Sequence, residues 1–247
     1  MKIAIAGGTG VVGAHTVAAA KAAGHEPVVL ARSVGVDVLS GNGLGEALVG
    51  VDAVIDVTNK TTVRAKASVD FFERATRNLV EAGKQAGVKH HVLMSIVGID
   101  LVDYGYYFGK RAQEETALSS GAPVSILRAT QFHEFPGQLM DRNKAPFDVI
   151  PRMQVQTIAA ADVGAALVAL AAGPAVGRAP DIAGPEVREL LDLARKLRTV
   201  QRRRKPLLVV TMPGKAGKAM RDGALLPATD GPRGKITFDD WLGQQAK

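Results

Sequence analysis

The sequence predicts a doubly wound α/β fold, a parallel sheet with helices on both faces, on three observations. Apolar runs of strand length alternate with helical patterns from the first residues to about Thr130. One central run, Asp52 to Val57, is almost continuously apolar, as a strand covered on both faces has to be. A glycine turn, Gly7-Gly8-Thr9-Gly10-Val11-Val12-Gly13, joins the first run to the first helical stretch.

The first strand is the run Ile3-Ala4-Ile5-Ala6, and the Ala-rich segment Ala14 to Ala23 continues from the turn as a helix. Within the turn, Gly8 is expected to take a positive φ. Gly10 would let backbone N–H groups approach a bound anion, and Gly13 would let the helix pack on the strand. The partial positive charge of the helix N-terminus would then hold a pyrophosphate, which makes the turn a candidate dinucleotide site. A turn that only links strand to helix is the alternative. Gly24 stops the helix, Glu26 to Ala31 forms a second strand, and Asp52 to Val57 a third. Ala67 to Gly87 reads as a helix with Val69, Phe72, Leu79 and Val80 on one side. Strands over His91 to Val97 and Val124 to Arg128 follow, with a helix from about Tyr106 to Ser119 between them.

Beyond Thr130 the rhythm loosens, because Pro136, Pro146 and Pro151 cut the chain into short pieces. Asp162 to Ala172 predicts a buried helix, Asp181-Ile182-Ala183 a short strand, Glu186 to Arg198 another helix and Leu207 to Thr211 another strand. A Gly/Pro-rich tail then runs to Trp241. No repeat or low-complexity linker divides the 247 residues. One domain over 1–247 is expected, with 130–156 and 184–247 forming a small substrate-side cap over the carboxyl edge of the sheet, where ligands bind in such folds.

The formal charge is +7, yet the only dense basic cluster is Arg202-Arg203-Arg204-Lys205, with no aromatics interleaved to stack on bases. A solvated helix end accounts for it, and no nucleic-acid partner is expected. The absence of cysteine excludes disulfides and thiolate metal sites and fits a reducing cytoplasmic setting. No apolar stretch is long enough to cross a bilayer, so a soluble, unprocessed chain without a membrane partner is expected. His15, His25, His90 and His91 lack the spacing and acidic neighbours of a metal site, and no metal is assigned.

The end of the second strand reads Leu30-Ala31-Arg32-Ser33. Folds that prefer NAD place a carboxylate there, on the ribose 2′-hydroxyl. A carboxylate would repel a 2′-phosphate, whereas Arg32 can grip one with its planar fork and Ser33 can donate to it. NADP is therefore the expected coenzyme, with an ordinary surface arginine as the alternative. All three tyrosines, Tyr104, Tyr106 and Tyr107, fall within four positions, and Lys110 follows Tyr106 by four. That spacing puts phenol and ammonium on one helix face, where the positive charge would lower the tyrosine pKa for proton transfer to or from a substrate oxygen. Tyr107 and Arg111 share the spacing, so the register leaves the two tyrosines open.

The glycine turn and the run Ser125-Ile126-Leu127-Arg128-Ala129-Thr130-Gln131-Phe132 resemble a short-chain dehydrogenase/reductase of the atypical or extended kind, close to its NmrA-like NAD(P)-binding members. The resemblance covers most of the chain and weakens after Pro136. It implies a Rossmann-type sheet, with Gly7, Thr9, Gly10, Val11, Val12 and Gly13 around the pyrophosphate and Asp37-Val38 against adenine. It places Thr58, Asn59 and Lys60 along the coenzyme, and gives Lys110 a second task on the nicotinamide ribose. Tyr106 and Lys110 match the family's Tyr-x-x-x-Lys, and Ser95 its catalytic serine, with a plain strand-end hydroxyl as the alternative. Gln131, Phe132 and His133, with Glu134 beside them, fall where the substrate pocket begins; His133 and Glu134 either orient a substrate or cap the next segment.

The expected function is an NADP-dependent oxidoreductase acting on a small carbonyl, alcohol or quinone-like substrate. An NmrA-like sensor that binds NADP(H) without turnover is the alternative. A sugar-nucleotide epimerase or dehydratase ranks last, because those members usually carry a larger carboxyl-terminal lobe. The only partner expected is the small-molecule substrate, and a homodimer stays open.

Overall fold

The structure, a computed structural model, describes residues 1–142 and 145–245. The first half alternates strand and helix: β1 (Lys2–Ala6), α1 (Val11–Ala22), β2 (Glu26–Leu30), the short α2 (Leu44–Ala47), β3 (Ala53–Asp56), α3 (Ala65–Ala86), β4 (His90–Ile96), α4 (Gly105–Leu118) and β5 (Val124–Ala129). The second half holds α5 (Phe135–Asp141), β6 (Asp148–Pro151), β7 (Gln154–Val155), α6 (Ala160–Ala171), β8 (Gly177–Arg178), β9 (Arg188–Glu189), α7 (Leu190–Val200), β10 (Leu207–Val210), α8 (Gly214–Arg221) and α9 (Phe238–Gln245). The central sheet is parallel throughout, in the order β2-β1-β3-β4-β5-β8. The fold is thus the doubly wound α/β class. Because β1 lies between β2 and β3, the winding reverses there, and the crevice outside its carboxyl end is the switch point where such sheets bind ligands.

Alternation along the strands decides which helices cover which face. Ile3, Ile5, Ala53, Ile55, Val92 and Leu127 point toward α1 and α6, where they meet Val12, Ala20, Val163 and Leu167. The opposite parity, Ala4, Val54 and Leu93, meets Leu79 of α3 and Ala117 of α4. Gly87, with φ at +75°, ends α3 in the left-handed conformation that a side chain would disfavour.

A separate apolar cluster holds the carboxyl-terminal half of the chain together: Met140, Ile150, Leu193, Leu197, Phe238 and Leu242, joined by Val102 from the loop before α4. Its two small sheets pair β6 with β10 and β7 with β9. Residues 143, 144, 246 and 247 of the expected cap lie outside the described residues.

Four local expectations change. Pro136 sits in the first turn of α5 and does not break it, because the N–H it lacks has no intrahelical partner there. The helix expected over Glu186 to Arg198 starts only at Leu190, since Arg188 and Glu189 pair with β7. Asp181 to Ala183 makes only single bridges, Ile182 to Ala129 and Ala183 to Arg233, and β5 takes Gly177–Arg178 as its ladder partner. The basic run 202–205 is not wholly a solvated helix end. Arg203 donates to both oxygens of the fully buried Asp148, from Nη2 at 3.0 Å and Nε at 3.2 Å, and Arg198 pairs with the same carboxylate. A buried carboxylate in a strand requires such partners.

Candidate functional site

The glycine turn closes on two short backbone bonds, Gly8 N–H to Ile5 O at 3.2 Å and Gly10 N–H to Gly7 O at 2.9 Å. The positive φ falls on Gly7, at +80°, and not on Gly8 as expected. A Cβ on Gly13 would stand 2.1 Å from the carbonyl oxygen of Gly7, so only glycine lets α1 approach the turn this closely. No side chain caps α1 and no acid lies in its first turn, while Thr9, Gly10 and Val11 are exposed. Unsatisfied N–H groups and the helix dipole therefore face outward from the switch point. This open cradle fits the phosphates of a dinucleotide.

The rim that would meet the adenosine end begins with a single tight helical turn, Arg32–Val34, closed by Gly35 at φ +82°. Arg32 and Ser33 are both exposed there, and among the described residues Arg32 makes no ion pair. The Asp37 carboxylate accepts the Leu39 N–H at 2.9 Å, and Asn78 of α3 donates to the carbonyls of Val38 and Leu39 at 2.9 Å. Asp37-Val38 is thus a fixed shelf, half-buried beyond the Arg32 turn.

At the carboxyl ends of β3 and β4 the construction differs. Tyr106 and Lys110 share one face of α4 and both pack on the Phe72 ring, with centroid distances of 5.8 Å for the tyrosine ring and 4.8 Å for Nζ. The Tyr106 hydroxyl donates to Asn59 Oδ1 at 2.7 Å, which ties the phenol to the loop after β3. The Tyr107 ring lies between its two neighbours, 5.6 Å from Tyr104 and 5.8 Å from Tyr106, and packs against the apolar cluster of the carboxyl-terminal half. Lys110 is buried; its ammonium donates to the Met94 carbonyl at 2.7 Å and to Gln113 Oε1. Burial pulls the Lys110 pKa down to about 8, against the raising pull of Asp56 and Glu114. The lowered phenol expected from a Tyr-Lys pair is not what the geometry produces. Burial, helped by Tyr107, holds Tyr106 well above its ordinary value, because the ammonium is spent on Met94 and Gln113. A phenol so placed keeps its proton at neutral pH, so in the resting site it is a proton donor and not a base.

Thr58 is buried, with its N–H and hydroxyl both donating to Asp56 Oδ1, at 2.9 and 2.7 Å. Asn59 and Lys60 are exposed, the lysine lying 5.5 Å over the Phe71 ring. Ser95 departs from its expected role. Its parity on β4 turns it beneath α4, where it is 1% exposed and lies beside the Glu114 carboxylate without a well-formed hydrogen bond. Glu114 is itself paired with Arg128 and Arg178, so this patch reads as a buried ion network.

The loop after β5 is mixed. His133 is fully buried, with Nδ1 2.9 Å from Thr157 Oγ1 and Nε2 donating to the Ile236 carbonyl at 3.0 Å, and its ring packs edge-on to Phe238 and tilted against Trp241. Both ring nitrogens are used, so His133 pins α9 onto the sheet and is not free to orient a ligand. Phe132 packs on the cluster under α1. Gln131 differs, since both of its amide atoms are shielded and unpaired. One Glu134 oxygen is likewise unpaired, and burial raises its pKa despite His15 and the Trp241 indole nearby.

Asp56, Gln113 and Phe72 escape a motif-based reading. The signal for Asp56 was present: a carboxylate in a central, otherwise apolar strand must find partners. Among the described residues no cluster of His, Cys, Asp and Glu could hold a metal ion, and no helix is long and apolar enough to cross a membrane.

The sequence matches the NAD(P)H-binding family over residues 31–174, more than half of the chain and beginning where β2 ends, so that the glycine turn lies before the matched segment. No curated protein matches the sequence. Among solved structures, a UDP-glucose-4-epimerase from Stenotrophomonas maltophila with bound NAD and formylated UDP-arabinopyranose superposes with a TM-score of 0.76 at 14% identity, over 100% of this chain and 97% of that one. A UDP-N-acetylglucosamine 4-epimerase from Bacillus cereus gives 0.73 at 19%, over 100% and 95%. A short-chain dehydrogenase/reductase superfamily protein from Agrobacterium tumefaciens with bound NAD gives 0.71 at 18%, over 100% and 96%. The match spans nearly the whole of both epimerases, so the larger lobe expected of such enzymes does not set them apart. Family match, switch-point cradle and shared architecture agree: the chain belongs to the NAD(P)H-binding family, on the fold of the short-chain dehydrogenase/reductases.

Proposed function

We propose that the protein is an NADP-dependent oxidoreductase of the short-chain dehydrogenase/reductase type, reducing a small carbonyl or quinone-like compound or running the reverse reaction. One observation carries this reading: Tyr106 and Lys110 share a face of α4 at the carboxyl edge of the sheet, and the phenol is joined to Asn59 in the loop that follows β3. Tyr106, not Tyr107, is the acid, because it is Tyr106 that shares the Phe72 ring with Lys110 and reaches Asn59. The bound coenzyme supplies or accepts the hydride. The protein supplies the rest. The N-terminus of α1 holds the pyrophosphate, Arg32 and Ser33 hold the 2′-phosphate, and the Lys110 ammonium holds the ribose. Tyr106 gives its proton to the substrate oxygen as the adjacent carbon is reduced, and regains it from solvent. Ser95 has no part in this. Gln131, with a shielded and unpaired amide, is the polar group best placed by its loop to meet a substrate.

The test is tritium or deuterium transfer from labelled NADPH and NADH across carbonyls, quinones and nucleotide-diphosphate sugars. Label in product, faster from NADPH, is expected. Tight NADPH binding with no transfer to any compound would replace the enzyme by the sensor, and turnover confined to the nucleotide sugars would bring in the substrates named for the structural neighbours.

A further inference from the structure

Asp56 closes β3 on the face turned toward α3 and α4, and it organises four groups from three elements. Oδ1 accepts the Thr58 N–H and hydroxyl. Oδ2 accepts Gln113 Nε2 at 2.9 Å and, more loosely, the Thr76 hydroxyl at 3.4 Å. The other end of the same carboxamide, Gln113 Oε1, accepts the Lys110 ammonium. Gln113 is fully buried, so its amide has no water to fall back on, and its orientation is dictated from both sides. With Asp56 as acceptor, the nitrogen of Gln113 must face β3 and its oxygen must face Lys110.

We infer that Asp56 is a positioning residue: through Gln113 it aims the Lys110 ammonium, and through Thr58 it sets the start of the Thr58–Lys60 loop, so that the lysine and the coenzyme-side loop move as one unit. The inference rests on the coenzyme site proposed above and adds how that site is held in register. Replacing Asp56 by an amide, D56N, puts a donor where Gln113 also donates. The Gln113 carboxamide then flips, presents its nitrogen to Lys110 and repels the ammonium it had held. Exchanging the two groups, as in D56N/Q113E, restores the chain with its polarity intact: the amide at position 56 donates to the carboxylate at position 113, and that carboxylate accepts from Lys110.

The charges around Lys110 give the two variants opposite signatures. Asp56 faces it from β3 and Glu114 from α4, the latter balanced by Arg128 and Arg178; α3 presents the Phe72 ring and β4 the Met94 carbonyl. Both carboxylates raise the lysine pKa against burial. Removing the Asp56 charge lowers it further, whereas a carboxylate at position 113 touches the ammonium and raises it. Coenzyme affinity that depends on the ammonium is lost as pH climbs through that pKa. The alkaline loss should therefore move to lower pH in D56N and above the wild-type position in D56N/Q113E.

The experiment is NADPH binding, followed by nucleotide fluorescence from pH 6 to 10, with thermal melts as the folding control. D56N should raise the Kd about tenfold at pH 7, and the double variant should return it to within about twofold. Wild-type affinity and pH dependence in D56N, or a folded double variant that recovers neither, overturns the inference. Should D56N not fold, Gln113→Leu removes the middle of the chain while leaving Asp56 on Thr58, and it must show the same weakened binding. A wild-type protein that binds neither NADPH nor NADH overturns the coenzyme reading together with this one, whereas normal wild-type binding with an indifferent D56N overturns this one alone.

Discussion

Along one edge of the sheet, the glycine turn with its Arg32 rim and the layer beneath α4 are built on opposite plans. The first is backbone laid bare: exposed Thr9, Gly10 and Val11, an uncapped helix start and an arginine without an ion pair among the described residues. The second is sealed: Gln113 is shared between Asp56 and Lys110, whose remaining bonds go to Thr58 and to the Met94 carbonyl. An open cradle receives a ligand without rearranging. A sealed relay fixes side chains in register and leaves a ligand two groups, the Tyr106 phenol held by exposed Asn59 and the one Lys110 N–H not given to Met94 or Gln113. The contrast predicts that substitutions at the phenol change chemistry and spare the fold, whereas substitutions at the turn change both.

The largest effect expected is on turnover. Tyr106→Phe removes only a hydroxyl whose partner is an exposed side chain, so the melting temperature should stay within a degree or two. The turnover number should fall about a thousandfold, in the range for loss of a positioned general acid. Equal turnover would place the proton donor elsewhere, with Glu134 the next group to test. A large drop in melting temperature would make the phenol part of the sealed layer and erase the contrast.

Gly13→Val comes next. The first carbon of the new side chain would lie 2.1 Å from the Gly7 carbonyl oxygen, backbone against backbone, so helix and turn must part. A loss of about 3 kcal/mol in urea unfolding is expected, together with loss of coenzyme binding. Stability within about 1 kcal/mol of wild type would mean that the turn is softer than its packing implies.

The same contrast explains what could be read from the chain alone. The strand-turn-helix order and the glycines are local in sequence, and so are strands that need cover on both faces; the doubly wound parallel sheet followed from them, though its sixth strand, Gly177–Arg178, did not. The tyrosine-lysine pair was visible as a spacing, but what Lys110 does was not. Its partners come from Met94 and Gln113, and the carboxylate behind Gln113 lies 57 residues away in the chain. Ser95 and His133 failed for the same reason. Position after a strand places a side chain near an edge of the sheet, but the parity of β4 and the arrival of α9, residues 238–245, decide whether that side chain meets solvent or is buried. Even the glycine carrying the positive φ was misplaced by one, since Gly7 and Gly8 are alike in sequence and only the bond from Gly8 N–H to Ile5 O separates them.

The smallest effect is the most selective. Arg32→Ala, on the open rim, removes a guanidinium fork that no carboxylate among the described residues holds, so nothing in the fold should respond. An exposed guanidinium on a phosphate contributes on the order of one charge-assisted hydrogen bond, and about a tenfold rise in the Kd for NADPH is expected. NADH, which has no 2′-phosphate, should bind within about twofold of wild type. Side-by-side titration of the two coenzymes decides the matter, and raising the ionic strength should narrow the wild-type preference, because a contact this exposed is screened by salt. If both coenzymes weaken together, Arg32 supports the rim and does not read the phosphate. If neither moves, the rim does not discriminate between coenzymes, and any preference has to be built from the fixed shelf at Asp37-Val38.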